Sequence, residues 1–162
     1  MGALIRRMTL NDIPTLQKVA RTTWNNTYNG IIPTHIQEAF LQRNYSETAM
    51  RNRMDRSLVF VAEIDGEVRG FANFFRSKQD YDEAELGAIY ILPEMQSQGI
   101  GGQLLTTGIE ALSGIKRLFV VVEKENSTGK RFYNSKGFLI LNEFTERLDE
   151  HTLTLVKMVL TI

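Results

Sequence analysis

The sequence predicts an α/β fold: one mixed sheet with helices on both faces, in the order β-α-α-β-β-β-α-β-α-β-β. Three observations predict it. Apolar residues recur at helical spacing early in the chain, at Ile13, Leu16, Val19 and Ala20. The pattern then changes to short apolar runs, two of them separated by the hairpin dipeptide Asp65-Gly66. Finally, a helical stretch (Leu104, Leu105, Ile109, Leu112) joins two apolar runs, which then lie parallel through a right-handed crossover.

Ala3, Leu4 and Ile5 form the first strand. Thr9-x-x-Asp12 resembles a capping box, and Pro14 falls in the first helical turn, where its missing N–H costs little. Residues 24–33 read as irregular. Thr34-x-x-Gln37 is a second cap signal, and Ser46 opens a further helix to residue 55. Residues 58–64 and 67–75 make the hairpin, and 85–92 the next strand. Gly114 ends the helix that follows. The apolar run 118–122 reads as a strand covered on both faces. A short helix, 127–136, stops at Gly137, and strands 138–147 and 152–162 flank a turn at Asp149. Apart from the parallel pair, the strands are expected to be hairpin partners. The last strand is apolar on both faces, as expected of a central strand or of one lying against another subunit in a homodimer. No repeat or linker interrupts the chain, so residues 1–162 read as a single domain.

Nineteen basic and nineteen acidic side chains cancel, which leaves no electrostatic footprint for nucleic acid or an anionic membrane. Any bound anion must be held by a local arrangement. The absence of cysteine excludes disulfides, thiolate metal sites and a cysteine nucleophile. Arg6 and Arg7 come too early for a secretory apolar region, no apolar run reaches membrane-spanning length, and position 6 breaks a myristoylation signal. A cytoplasmic protein with no metal is the expectation.

The chemistry is carried by Glu85-Leu-Gly-Ala-Ile89-Tyr90-Ile91-Leu-Pro93-Glu-Met-Gln96-Ser97-Gln98-Gly99-Ile100-Gly101-Gly102. A strand gives way to a glycine-containing turn and then to a helix. Unpaired N–H groups and the positive end of a helix dipole form an anion site at such a junction. Glycines at 99, 101 and 102 are expected to let a pyrophosphate approach the backbone. A dinucleotide fingerprint would need glycine at Leu104, and a Walker loop would need Gly-Lys-Ser/Thr, which is absent. Downstream, Asn126 is a natural N-cap, and Tyr133 lies seven residues later on nearly the same helix face. Tyr133 could equally be a core aromatic beside Phe132.

Together, Gln96-x-x-Gly99-x-Gly101, Asn126, Phe132-Tyr133 and Gly137-Phe138 resemble the GNAT superfamily of acetyl-CoA-dependent N-acetyltransferases, over essentially the whole chain. The resemblance implies that the strand at Ile89, Tyr90 and Ile91 pairs with the pantetheine arm. It implies that Ser97 to Gly102 hold the pyrophosphate, with Gln96 where arginine is common. Asn126 would contact the cofactor, Tyr133 would protonate the leaving thiolate, and Glu85 would activate the amine. Gly129 replaces a common alanine, and Val121 stands where certain relatives keep a glutamate base.

If no bulge intervenes, Glu85, Gly87, Ile89 and Ile91 share one strand face, and Gly87 leaves room there for an amine or a relay water. Glu85 could also be an ordinary strand-end glutamate. His35 and His151 read as surface residues. Trp24 and Tyr28 could line an acceptor site or belong to the core. The implied activity is acetyl transfer to a primary amine, of a small molecule or a protein, by direct attack in a ternary complex. The alternative is an acyl-CoA-binding regulatory or scaffold module of the same fold without turnover.

Overall fold

The computed structural model describes residues 2–162. Strand β1 (Leu4–Arg7) leads into three helices, α1 (Ile13–Tyr28), α2 (Thr34–Asn44) and α3 (Glu47–Arg56). Strands β2 (Leu58–Ile64), β3 (Glu67–Arg76) and β4 (Glu83–Ile91) follow, then α4 (Ile100–Ala111), β5 (Arg117–Glu123), α5 (Ser127–Ser135), β6 (Leu139–Leu148) and β7 (His151–Thr161).

Three helices, not two, therefore separate β1 from β2. The third starts where Ser46 caps it, its hydroxyl accepting from the Ala49 N–H at 3.2 Å. Helix α1 also runs through Trp24 to Tyr28, where the sequence suggested irregular chain. Packing holds this last turn in place: Trp24 is buried and stacks on Phe40 of α2, with ring centres 4.0 Å apart.

The seven strands form one sheet in the order β1-β2-β3-β4-β5-β7-β6. The β4–β5 pair is parallel, as expected of two strands joined through α4, and the others are antiparallel. Two antiparallel pairs are not hairpins. β1 meets β2 across three helices, and β7 inserts between β5 and β6. Its interior position explains why β7 is apolar on both faces.

Helices cover both faces of the sheet. On one side, α4 and α5 enclose Leu86, Leu104, Leu118, Val120, Phe138 and Met158. On the other, α1 to α3 enclose Leu16, Trp24, Ile36, Met50, Val61 and Phe71. The second layer stops short of β5. Leu118, Val120 and Val122 are buried on the α4 side, whereas Val121 is 36% exposed and Phe119 half-buried. β5 is therefore covered on one face only, contrary to the reading of its apolar run.

Strand β4 contains the irregularity that shapes the site. Its register with β3 steps from Asn73↔Ala88 to Phe74↔Leu86, which leaves Gly87 unpaired as a β-bulge. Ala84 and Leu86 point into the α4-side core, but beyond the bulge Ala88 points into the α1-side core. The β4–β5 ladder ends at the same place, at Leu86↔Val120, although both strands continue. A notch opens between them.

Candidate active site

The notch is the mouth of a cavity of about 560 Å³, lined by both strands, the turn before α4, and parts of α1 and α5. On its β4 side, Ile89, Tyr90 and Ile91 pair with Ala72, Phe71 and Gly70 of β3, and their other edge has no strand partner. Unpaired N–H and C=O groups there suit an extended, amide-containing arm added as a further strand.

After a 3-10 turn at Pro93–Met95, Ser97 (φ 65°) and Gly99 (φ 82°) adopt the left-handed conformation. Successive N–H groups in such a turn converge into an anion-binding concavity. Gly99 is the N-cap of α4, with no side-chain cap and no acidic residue in the first turn, so the helix start is left for a ligand. Gln96 turns back, donating from Nε2 to the Ile91 carbonyl at 3.1 Å. Gln96, Ser97, Gly99, Gly101 and Gly102 line the cavity. Gln98 instead reaches the Glu94 carbonyl, and the Ile100 side chain is buried in the α4-side core.

The three glycines differ. A Cβ on Gly99 would meet open space, and this residue needs its positive φ. A Cβ on Gly101 would lie 2.8 Å from the Phe132 ring and 3.2 Å from Ile91 Cδ1, so this glycine lets α4 pack against α5 and β4. On Gly102 it would lie 3.0 Å from Lys136 Nζ. Open space lies beside Gly99, the movable end of Lys136 beside Gly102, and packed side chains beside Gly101.

Asn126 caps α5 by accepting from the Gly129 N–H at 2.9 Å. A Cβ on Gly129 would lie 2.8 Å from Asn126 Nδ2, so glycine here leaves room for the folded-back amide.

Tyr133 is buried between Phe132 and Phe138, with ring centres 5.5 and 5.4 Å away, and it also lines the cavity. It is a core aromatic and a cavity group at once. Burial first, then the neighbouring Tyr90 and Tyr28, push its pKa well up, so the phenol is held protonated.

Trp24 and Tyr28 both line the cavity. Their rings are 4.7 Å apart, and Trp24 Nε1 donates to the Tyr90 hydroxyl at 2.8 Å. Burial and then Tyr90 raise the Tyr28 pKa as well.

Glu85 is not brought to the cavity wall. The bulge at Gly87 breaks the alternation that would have aligned it with Ile89 and Ile91, and it lies on the open face beside its ladder partner Phe119. The room expected at Gly87 is taken by the Phe75 ring, 2.5 Å from a Cβ placed there. Although Glu85 is exposed, its surroundings remove enough water to raise its carboxyl pKa, opposed by the charge of Lys157.

Sequence reasoning passed over Glu123, a buried carboxylate at the end of β5 whose Oε2 accepts from the Glu125 N–H at 2.6 Å. It also missed Thr23 and Thr27, one helical turn apart on the cavity face of α1. Their spacing with Trp24 and Tyr28 was the available signal. His35 is exposed and bonded to Glu150, outside the cavity.

The family model described as Acetyltransferase (GNAT) family matches residues 20–138. The chain belongs to this family. The uncharacterized N-acetyltransferase YuaI of Bacillus subtilis (strain 168) is 40% identical over 129 residues, which span 75% of this chain and 72% of that protein. The spermidine N(1)-acetyltransferase of Thermoplasma acidophilum is 31% identical over 148 residues, 86% of this chain and 90% of that one. The crystal structure of the PaiA N-acetyltransferase of Thermoplasma acidophilum in complex with coenzyme A superposes with a TM-score of 0.85 at 28% identity, covering 100% of both chains. The chemistry of this GNAT protein is acetyl transfer, with acetyl-CoA as cosubstrate. Nothing found supports the alternative of a module without turnover.

Proposed function

We propose that residues 1–162 form one catalytic domain that acetylates the primary amine of a small, flexible acceptor, with a polyamine the first candidate, by direct attack in a ternary complex. The observation that carries this reading is that one cavity joins the free edge of β4, the bare start of α4, Tyr133 and an aromatic wall from α1. The likeness to a spermidine N(1)-acetyltransferase supports the acceptor class.

Acetyl-CoA supplies an activated acyl group on a thioester. The β4 edge at Ile89 to Ile91 would align the pantetheine arm, and the turn from Gln96 through Gly102 would hold the pyrophosphate. A strand N–H beside the thioester carbonyl would stabilise charge developing on its oxygen. Trp24 and Tyr28 would pack along the acceptor, their ring faces favouring an ammonium or alkyl chain.

An alkylamine with a pKa near ~10.4 arrives protonated, so a base must free its lone pair. Glu85 would do this through water from the open face, its raised pKa making it a better proton acceptor than an ordinary glutamate. Tyr133 would donate its proton to the departing thiolate. With no cysteine in the chain, an enzyme-bound thioester is excluded, and the amine would attack acetyl-CoA directly. Dependence on acetyl-CoA supports work in the cytoplasm. Exposed Leu139, Ile140 and Leu141 on the edge strand β6 support a homodimer, since an unpaired apolar edge invites pairing.

The test is coenzyme A release across spermidine, spermine, putrescine, monoamines, amino acids and peptides with free N-termini. The highest kcat/KM is expected with a polyamine. A preference for peptides overturns the acceptor class, and no release with any amine despite acetyl-CoA binding overturns the catalytic reading.

A further inference from the structure

We infer that Lys136, the residue after the last turn of α5, is the charged contact for the coenzyme's pyrophosphate. This rests on the reading that the start of α4 holds that group. The ammonium stands over the first turn of α4, its nitrogen 3.0 Å from where a Gly102 Cβ would be. The start of a helix carries a charge equivalent to roughly +0.5. Two positive poles thus face each other, and no acidic residue of the α4 first turn lies between them. Among the described residues Lys136 has no ion-pair partner, like Arg131 of the same cavity, but only Lys136 also stands beside the start of α4 at Gly102. Its nitrogen lies 5.8 Å from the centre of the Phe132 ring, whose edge also fills the space beside Gly101. An anion between the poles turns this repulsion into two attractions.

The loop itself supplies no charge to do this work. Gln96 is neutral and spends its amide on the Ile91 carbonyl. The chain as a whole has no net charge. Lys136 lines both the main cavity and a neighbouring hollow that runs from Gly99 and Gly102 along the outer face of α4 to Thr106. A phosphate at the left-handed Ser97–Gly99 turn would receive N–H donors from the helix start on one side and an ammonium donor from Lys136 on the other. The departure at position 96 would thus be offset from a different element.

The experiment is calorimetric titration of the intact protein and of Lys136→Met and Lys136→Arg with coenzyme A and with 3′-dephospho-coenzyme A. Lys136→Met is expected to weaken both ligands about tenfold, the scale of one charged hydrogen bond. Its affinity should also fall less steeply with added salt, because one exposed charge no longer contributes. Lys136→Arg should retain most of the affinity. Undiminished affinity in Lys136→Met with an unchanged salt dependence overturns the inference. So does a loss confined to coenzyme A, which assigns the lysine to the 3′-phosphate instead. If the intact protein binds neither ligand, the cofactor reading has failed, a result separate from either.

Discussion

The two walls of the cavity are built from different material. The wall proposed for the cofactor is mostly backbone: the free edge of β4, the left-handed Ser97 and Gly99, and the uncapped start of α4. The wall proposed for the reacting groups is mostly side chain: Trp24, Tyr28, Tyr90 and Tyr133, with Trp24 held by its bond to Tyr90. Backbone donors suit a ligand that never changes. Side chains can be exchanged without disturbing the sheet, so one cofactor wall can serve many acceptors. Substitutions on the acceptor side should therefore change chemistry at constant cofactor affinity, and substitutions near the turn should change affinity or stability at near-constant chemistry.

The sharpest break is expected at Tyr133. Tyr133→Phe keeps the ring between Phe132 and Phe138 and removes only the hydroxyl, so kcat should fall on the order of 10²–10⁴ while calorimetry finds coenzyme A affinity unchanged. Wild-type turnover would leave Tyr133 a packing residue.

Glu85 comes next, with a loss toward the lower end of that range, on the order of 10², because the proposed base would act through water. Its carboxyl must be ionised to accept a proton, and its pKa is raised, so kcat/KM should climb as pH passes through that raised value. Glu85→Gln should lose this limb and recover toward high pH, where more amine is free. A pH–rate profile that matches the wild type in both shape and height would return Glu85 to the open surface.

Gly101→Ala should have the smallest effect on turnover. Its methyl group meets Phe132 and Ile91, so the unliganded protein should lose about 1–3 kcal/mol of stability from overpacking. The stabilisation conferred by acetyl-CoA, about 2.7 kcal/mol at 100 times its dissociation constant, should survive. Unchanged stability without ligand together with loss of that increment would mean that the phosphate, not Phe132, needs the space.

The contrast between the walls also explains what the sequence disclosed. Glycines at fixed spacing after a strand have few explanations, so the turn before α4 could be placed from residues 96–102 alone. Tyr133 and Asn126 shared one helix and one periodicity. Glu123 and Lys136 gave no such signal, because what distinguishes them is burial or a neighbour from a distant element. The third helix was visible in the Ser46 cap yet missing from the element order. The open face of β5 was hidden because an apolar run does not say where a covering helix stops. Glu85 was misplaced for a reason local to β4, an unpaired residue that no alternation rule detects in advance.

That unpaired residue makes β4 two strands in different phase. Residues 84–86 and 88–92 each alternate correctly, but against opposite cores, and Gly87 is the half-step between them. The length of the strand is therefore as constrained as its composition. If Gly87 entered the ladder while the later residues kept their pairing, the earlier ones would turn over, directing Leu86 away from the α4 core and Glu85 into it. Substitutions along β4 affect one side chain at a time, whereas a single insertion or deletion at a paired position before Gly87 would interchange the inside and outside of half the strand. In this protein the notch between β4 and β5 thus depends on a count of residues as well as on their kinds.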